Sequence, residues 1–215
     1  MSATVWLWLA LLVGAYLVGS VPWSWLVVHW ASGVDVRRVG SGNVGATNAM
    51  RVAGRRAGLA ALVLDILKGV VPVLVARRLE APPLVVSCVA ALAVLGHVYP
   101  VWLHFRGGKG VATAAGALGA LAPLPGLLAV MLFVLTVSIT RYVSLGSIVA
   151  VVSFPLFVLL LPSRLEPRKD ASFLASSALV PALIVWKHRG NIARLLAGSE
   201  RRLGQRAASE EEEGA

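Results

Sequence analysis

An uncharged stretch runs from Ser2 to Ser32 near the N-terminus of this chain. About 20 apolar residues in a helix are enough to cross the hydrocarbon core of a bilayer, whereas the apolar region of a signal peptide has only about 7–15 residues. We therefore expect a retained membrane span here. Hydrophobic residues make up 58% of the 215 residues and charged residues 14%, which is too apolar for a soluble domain. The prediction is an all-α, polytopic integral membrane protein.

Six further apolar segments follow, separated by short charged or glycine-rich loops. They are residues 57–76, 84–103, 110–122, 127–140, 145–161 and 171–186. The division of the uncharged stretch between Gly110 and Thr140 rests on Pro123-Leu124-Pro125-Gly126, since paired prolines with a glycine interrupt a helix. Its first half extends only about 18 Å, which is shorter than the hydrocarbon core.

The distribution of basic residues supports a count of seven crossings. Arg37 and Arg38 follow the first span, so the positive-inside rule places the N-terminus outside and this loop in the cytoplasm. Seven crossings also place the basic C-terminal segment in the cytoplasm, whereas six would place it outside. We expect one membrane domain over residues 1–207 and an acidic, solvated tail over 208–215.

The net charge of +10 does not indicate nucleic-acid binding, because the basic residues lie between apolar runs and do not alternate with aromatic residues. Cys88 is the only cysteine, so neither an intrachain disulfide nor a cysteine-based metal site is possible. No metal cluster or cofactor motif is visible.

Asp65 and Lys68 lie three residues apart inside a span, where they form either a structural ion pair or part of a polar site.

A glycine-rich turn with one lysine follows the third span. Glycines 107, 108 and 110 leave backbone N–H groups unshielded, Lys109 adds a positive charge, and a helix begins at Val111. Helix N-termini favour anions, so we expect a phosphate to bind here. The spacing differs from that of a P-loop, and a flexible turn whose lysine only sets topology is the alternative.

Two further cytoplasmic segments are rich in hydrogen-bonding side chains. The loop after the first span contains Ser41, Asn43, Thr47, Asn48 and Arg51. Gly40, Gly42 and Gly45 match the spacing of a dinucleotide-binding motif, but a membrane helix precedes them instead of a strand. After the last span, His188, Asn191 and Arg194 share one face if the segment is helical; the alternative is a basic helix that holds anionic lipid.

All three segments lie on the cytoplasmic face in this topology. Together they supply three cations, backbone donors and orienting polar groups, which suits phosphorylated substrates with more than one phosphate. Because the site lies at the membrane edge, one substrate is expected to be a lipid.

At this point the chain resembles a known family, the bacterial acyl-phosphate:glycerol-3-phosphate acyltransferases. The resemblance covers nearly the whole chain and rests on three motifs in order: SGNVGATNAMR from Ser41, GGKGVAT from Gly107 and HRGNIARLLAGSE from His188. One departure is Arg202, where the family's third motif usually ends in lysine. The resemblance implies transfer of an acyl group from acyl phosphate to glycerol 3-phosphate, without a cofactor.

The resemblance also implies roles for individual residues. Ser41 and Arg51 would be essential, the Gly107–Gly110 turn with Lys109 would bind glycerol 3-phosphate, and His188 and Asn191 would support activity. Glu200 would be mainly structural. Remaining candidate substrate-binding residues are Asn43, Thr47, Asn48, Gly107, Gly108, Gly110 and Arg194.

Acyl phosphate is already activated, so direct attack by the glycerol hydroxyl is plausible without an acyl-enzyme intermediate. Either His188 or a substrate phosphate oxygen would accept the proton. The signature of the soluble-type acyltransferases, a histidine followed five residues later by aspartate, does not occur. The competing hypothesis is a transporter or channel for a phosphorylated solute, against which we note that the sequence has no internal repeat.

Overall fold

The computed structural model describes residues 3–165 and 169–205. Within these ranges the chain forms nine α-helices and one short 3₁₀ helix, and no strand is assigned there. The helices are α1 (Ala3–Ser20), α2 (Trp23–Ser32), α3 (Ala46–Arg78), α4 (Pro83–Val98), α5 (Val111–Leu121), α6 (Pro123–Thr140), α7 (Val143–Leu160), α8 (Ala171–Lys187) and α9 (Arg189–Leu196), with the 3₁₀ turn at Val101–Leu103. The predicted acidic tail, 208–215, lies outside the described residues.

The helices confirm a polytopic membrane protein. In the described part of the chain, five helical segments are long and apolar enough to cross a bilayer, counting α1 with α2 as one, and the pair α8 and α9 makes a sixth, bent by 57°. Helix α5 has 11 residues and spans about 16 Å, less than the hydrocarbon core. Whether α5 counts as a crossing decides between six and seven, so the count of seven and the outward N-terminus stay predictions.

The predicted interruption between α5 and α6 is present, but its position differs. Helix α5 ends at Leu121 and α6 begins at Pro123, with Ala122 between them in a non-helical conformation. Proline is well tolerated at the first position of a helix, where its missing N–H costs no hydrogen bond. Pro123 and Pro125 therefore form the first turn of α6 instead of a linker.

Helix α3 contains a sharp kink close to its N-terminus. Gly54 has φ 85° and ψ 177°, which is far from helical and accessible mainly to glycine. The two turns before the kink, from Ala46, carry Arg51 at an angle different from that of the membrane-spanning part. This kink allows Arg51 to lie in the site while the rest of α3 crosses the bundle.

Small residues let the helices approach closely. Helix α1 packs on α4, α3 on α5, and α6 on α7. Gly69 of α3 lies against the carbonyl of Thr113, and Gly116 of α5 lies against the carbonyl of Ile66, so a Cβ at either glycine would collide with backbone. Such close contacts are typical of membrane helices, which gain van der Waals packing this way. They fix the N-terminal turns of α5 against α3.

Candidate functional site

The side chain of Asn48 holds the loop between α2 and α3 in shape. Its Nδ2 donates hydrogen bonds to the carbonyls of Val36 (2.9 Å) and Val39 (3.1 Å), and its Oδ1 accepts the Ser41 N–H at 2.9 Å. Asn48 is only 1% exposed. Because both amide hydrogens are used within the loop, the structure supports a scaffolding role, and its predicted contact with substrate stays a prediction.

Two glycines make the turn around Ser41 possible. Gly40 and Gly42 have φ angles of 67° and 66°, in the left-handed region that favours glycine. Ser41 lies between them with an exposed side chain, at the edge of the cavity described below. Asn43, Thr47 and Arg51 border the same cavity, so this loop contributes both polar and cationic groups.

The glycine turn binds to α4 through its backbone, which corrects one sequence-based expectation. Gly107 N–H donates to the Val98 carbonyl at 3.3 Å, and Gly108 N–H donates to the His97 carbonyl at 3.1 Å. These two N–H groups were expected to bind phosphate and are instead used to tie the turn to the end of α4. The acceptors are carbonyls at the C-terminus of α4, which lack partners within that helix. The sequence did not reveal these bonds, because they depend on how the turn folds back onto α4.

The donors near Lys109 come from the start of α5. Gly110 precedes the helix with φ 86°, and the first intrahelical-type bond runs from Ala114 N to Gly110 O at 2.8 Å. The N–H groups of the first turn, at Val111, Ala112 and Thr113, therefore have no carbonyl in their own helix. Together with the helix dipole they favour an anion beside Lys109.

A hydrogen-bonded chain joins Lys109 to the C-terminal segment. Lys109 Nζ donates to Asn191 Oδ1, and Asn191 Nδ2 donates to Glu200 Oε1 at 2.6 Å. The same oxygen accepts the Ser144 hydroxyl at 2.7 Å, while Glu200 Oε2 accepts Arg194 Nε at 2.7 Å. Glu200 thus joins α7, α9 and, through Asn191, the glycine turn; its mainly structural role stays a prediction.

The surroundings of Lys109 and Glu200 lower the pKa of both groups. The lower pKa favours the neutral form of Lys109 but the ionised form of Glu200. Burial, with the nearby Arg194 and Arg51, lowers the pKa of Lys109 from 10.5 to about 8, against the opposing effect of Glu200. Burial alone would raise the pKa of Glu200, but hydrogen bonds from Asn191, Ser144 and Arg194 outweigh burial and lower it. Glu200 is therefore ionised at neutral pH, and Lys109 is predominantly protonated there.

His188 sits at the joint between α8 and α9 and is neutral at physiological pH. Its Nδ1 lies 2.8 Å from the carbonyl of Ile184, which can only accept, so Nδ1 carries the proton and Nε2 presents a lone pair. Burial lowers the pKa of His188 to about 4, although the bond to Ile184 opposes this and Lys109 adds to it. His188 is thus suited to accept a hydrogen bond, but it is a weak base.

One cavity of about 1200 Å³ connects all three segments. Of the residues proposed from sequence, those that border it are Ser41, Asn43, Thr47, Asn48, Arg51, Gly107, Lys109, Gly110, His188, Asn191, Arg194 and Glu200. Gly108 does not border it and packs instead against the imidazole of His97 and the carbonyl of Val44. A direct contact of Gly108 with substrate stays a prediction that this position does not support.

The cavity also has an apolar arm, which lies between α5, α6 and α7. Its walls include Leu118, Ala129, Phe133, Val151 and Phe154. A polar mouth that continues into an apolar arm fits an amphiphile with a charged head and a hydrocarbon chain.

Sequence reasoning missed Ser144 at the polar end of this cavity. Its hydroxyl binds Glu200, 56 positions further along the chain, and it borders the cavity. The available signal was a serine in the first turn of an apolar helix, directly after Arg141-Tyr142 at the membrane edge. Among the described residues, no group of three or more His, Cys, Asp or Glu side chains could hold a metal ion.

The fold and the cavity define a class of protein: a polytopic helical membrane protein whose cationic site is open to an amphiphilic, phosphorylated ligand. The model of the family described as glycerol-3-phosphate acyltransferase matches residues 9–198. The chain belongs to this glycerol-3-phosphate acyltransferase family.

Relatives in this family are similar over nearly their whole length. The glycerol-3-phosphate acyltransferase of Desulforamulus reducens is 44% identical over 196 residues, 91% of this chain and 95% of the relative. That of Geotalea daltonii is 47% identical over 192 residues, 89% of this chain and 95% of the relative.

Two crystal structures of PlsY (YgiH), an integral membrane glycerol 3-phosphate acyltransferase, share the fold. The glycerol 3-phosphate form has a TM-score of 0.85 and 40% identity, covering 92% of this chain and 96% of that one. The lysophosphatidic acid form has a TM-score of 0.82 and 39% identity, covering 92% and 95%.

Proposed function

We propose that this chain transfers a fatty acyl group from acyl phosphate to glycerol 3-phosphate, forming lysophosphatidic acid and inorganic phosphate. The observation that carries the proposal is the single cavity of about 1200 Å³, whose mouth is cationic and whose arm is apolar. Such a cavity holds a charged acceptor and a lipid donor side by side. The names of the relatives support the acceptor, and the bound states of the two PlsY structures support both acceptor and product.

The phosphate of glycerol 3-phosphate binds at Lys109 and the first turn of α5. Lys109 supplies the charge, and the free N–H groups of that turn supply oriented donors. The phosphate of the donor then has Arg51 and Arg194, which border the same cavity. Two phosphates in one site explain why three cations are held close together despite their mutual repulsion.

The reaction is a direct displacement. The glycerol hydroxyl oxygen attacks the acyl carbonyl carbon, the bond from that carbon to the phosphate oxygen breaks, and phosphate leaves with the bonding electron pair. An acyl-enzyme route needs a nucleophile hydrogen-bonded to a base, and among the described residues the hydroxyl of Ser41 has no such bond to His188.

The leaving phosphate takes the hydroxyl proton. As the carbon–oxygen bond breaks, the leaving phosphate gains negative charge, whereas burial lowers the pKa of His188 to about 4 and makes the imidazole a weak base. The phosphate is therefore the stronger base of the two. Nε2 of His188 accepts a hydrogen bond from the other hydroxyl of glycerol 3-phosphate, which orients the acceptor for attack and leaves the proton of the attacking hydroxyl for the phosphate.

The site faces the cytoplasm from a bacterial cytoplasmic membrane. The charge pattern that favours this orientation is the concentration of arginine in the three loops that form the cavity mouth and near α9.

The test uses purified protein with acyl phosphate and glycerol 3-phosphate, and measures phosphate release together with lysophosphatidic acid. Acyl-CoA is the donor in a parallel reaction. Lys109→Ala should abolish product, whereas Lys169→Ala, which removes a lysine outside the cavity that binds the Leu161 carbonyl, should not. Product from acyl-CoA would contradict the donor assignment. If the folded protein formed no product from any donor, the proposal would be contradicted. The result would favour the transporter or channel hypothesis, which solute flux into liposomes would then test.

A further inference from the structure

A cluster of buried polar side chains joins α2, α3 and α4 beside the glycine turn. Lys68 Nζ lies 2.9 Å from Asp65 Oδ1, and both side chains are 2% exposed. Lys68 also donates to the Val21 carbonyl at 2.8 Å, at the break between α1 and α2. Ser24 of α2 donates to Asp65 Oδ2 at 3.3 Å. Charges inside a membrane span are costly, so this arrangement calls for a function.

His97 connects the ion pair to the glycine turn. Its Nδ1 lies 3.6 Å from Asp65 Oδ1, and its backbone carbonyl accepts the Gly108 N–H at 3.1 Å. The Nε2 edge of the ring packs against Gly108, where a Cβ would collide with Nε2 on one side and the Val44 carbonyl on the other. Gly108 is thus clamped between the imidazole and the loop that carries Ser41 and Arg51.

We propose that His97, which packs beside the Asp65–Lys68 ion pair, is a positioning residue that sets the distance between the glycine turn and the Ser41–Arg51 loop. This proposal rests on the proposed function and extends it to the cluster of Asp65, Lys68 and His97, of which Asp65 and His97 border the cavity. The ring fills the space on one side of Gly108, opposite the Val44 carbonyl. It therefore sets the position of the glycine turn, and with it the position of Lys109 relative to Arg51. His97 borders the cavity, but its Nε2 edge packs against Gly108, so we assign it a role in positioning the turn and none in the chemical step.

A merely structural ion pair makes a different prediction. Its loss would lower stability and leave the binding of substrates to the folded protein unchanged. A positioning role predicts a selective effect on the binding of glycerol 3-phosphate. Its phosphate binds both Lys109 and the first turn of α5, so it depends on their relative positions. The acyl phosphate, which relies on Arg51, Arg194 and the apolar arm, would be affected less.

The experiment measures kcat and KM for each substrate in His97→Ala, His97→Gln and His97→Asn. His97→Ala should raise KM for glycerol 3-phosphate at least about tenfold, since displacements near 1 Å have effects of this size or larger. The KM for acyl phosphate should change less than about twofold. Gln and Asn, which retain an amide near one ring nitrogen or the other, should give smaller increases and keep the test usable if the alanine variant does not fold.

Val86→Ala is the matched control. Val86 is a buried residue of the same helix, near the opposite end from His97. Its truncation leaves a cavity and lowers stability, but it should leave both KM values as in the wild type. The proposal is overturned if the folded His97 variants show the same two KM values as Val86→Ala.

A second readout does not depend on turnover. Spin labels on cysteines at the exposed Arg38 and Arg106, with Cys88→Ser, report the distance between the two loops. His97→Ala should broaden or shift this distance distribution, and Val86→Ala should not. A wild-type protein without activity contradicts the proposed function, whereas an unchanged distance in His97→Ala contradicts the positioning role, so the two failures are distinguished.

Discussion

Lys109 is expected to lose its proton within the accessible pH range, and glycerol 3-phosphate binding with it. Burial and the cations Arg194 and Arg51 lower its pKa from 10.5 to about 8. The sign follows directly: the ammonium form is present below pH 8 and is lost above it. Because only the ammonium form attracts a phosphate dianion, kcat/KM for glycerol 3-phosphate should fall on the alkaline side.

The size of the fall follows from the same pKa. A group with a pKa of 8 is about one-half protonated at pH 8 and about one-tenth protonated at pH 9. We therefore expect kcat/KM to drop about tenfold between pH 7 and pH 9. On the acid side the substrate phosphate becomes a monoanion near its second pKa of about 6, so the whole profile is bell-shaped. In the pH profile of kcat, the alkaline limb should lie at higher pH than in that of kcat/KM, since bound phosphate favours the charged ammonium form of Lys109.

The assay is the initial rate of lysophosphatidic acid formation from pH 5.5 to 9.5, at saturating acyl phosphate. Lys109→Arg is the informative variant, because a guanidinium stays protonated throughout this range. Its residual activity should show no alkaline limb. A wild-type kcat/KM that stays flat to pH 9.5 would refute the assignment, and so would an alkaline limb near pH 8 retained in Lys109→Arg.

Two further changes test the network that surrounds Lys109. Glu200→Gln removes the charge that opposes the lowering of the Lys109 pKa, so the alkaline limb of kcat/KM should shift to lower pH, and an unmoved limb would contradict the electrostatic link. Asn48→Ala removes one buried and two partly buried hydrogen bonds from the Ser41–Arg51 loop and should destabilise the protein by about 1–3 kcal/mol in denaturant unfolding. Unchanged stability there would show that the loop is held by other contacts.

The sequence was sufficient for the fold class and for the location of the apolar helices. Apolar runs of about 20 residues have few alternatives to membrane helices, and the structure has helices at each predicted segment. It also has the interruption before α6, because paired prolines restrict the backbone locally. The number of crossings did not follow from the sequence, because the 11-residue helix α5 is apolar but shorter than the roughly 20 residues that cross a bilayer.

The candidate site was predictable in its members but not in its bonding. Each loop is recognisable from its own polar residues, and the structure places nearly all of them around one cavity. Which N–H groups remain free, however, depends on Gly107 and Gly108 donating to the end of α4. Ser144 likewise acquires its role from Glu200. Such pairings depend on tertiary packing, so the local sequence around one partner does not identify the other.

The three loops gain their rigidity from different parts of the bundle, which has a consequence for catalysis. Asn48 fixes the first loop from within, the end of α4 fixes the glycine turn, and Glu200 fixes the C-terminal segment to α7. Electrostatic stabilisation is effective when charges are already in place, because no reorganisation is then needed during the reaction. A cluster of cations repels itself, so it keeps its geometry only if the loops that carry the cations are held in place. In this protein the anchors lie in three different parts of the bundle, and Glu200 also links Lys109, through Asn191, to Arg194.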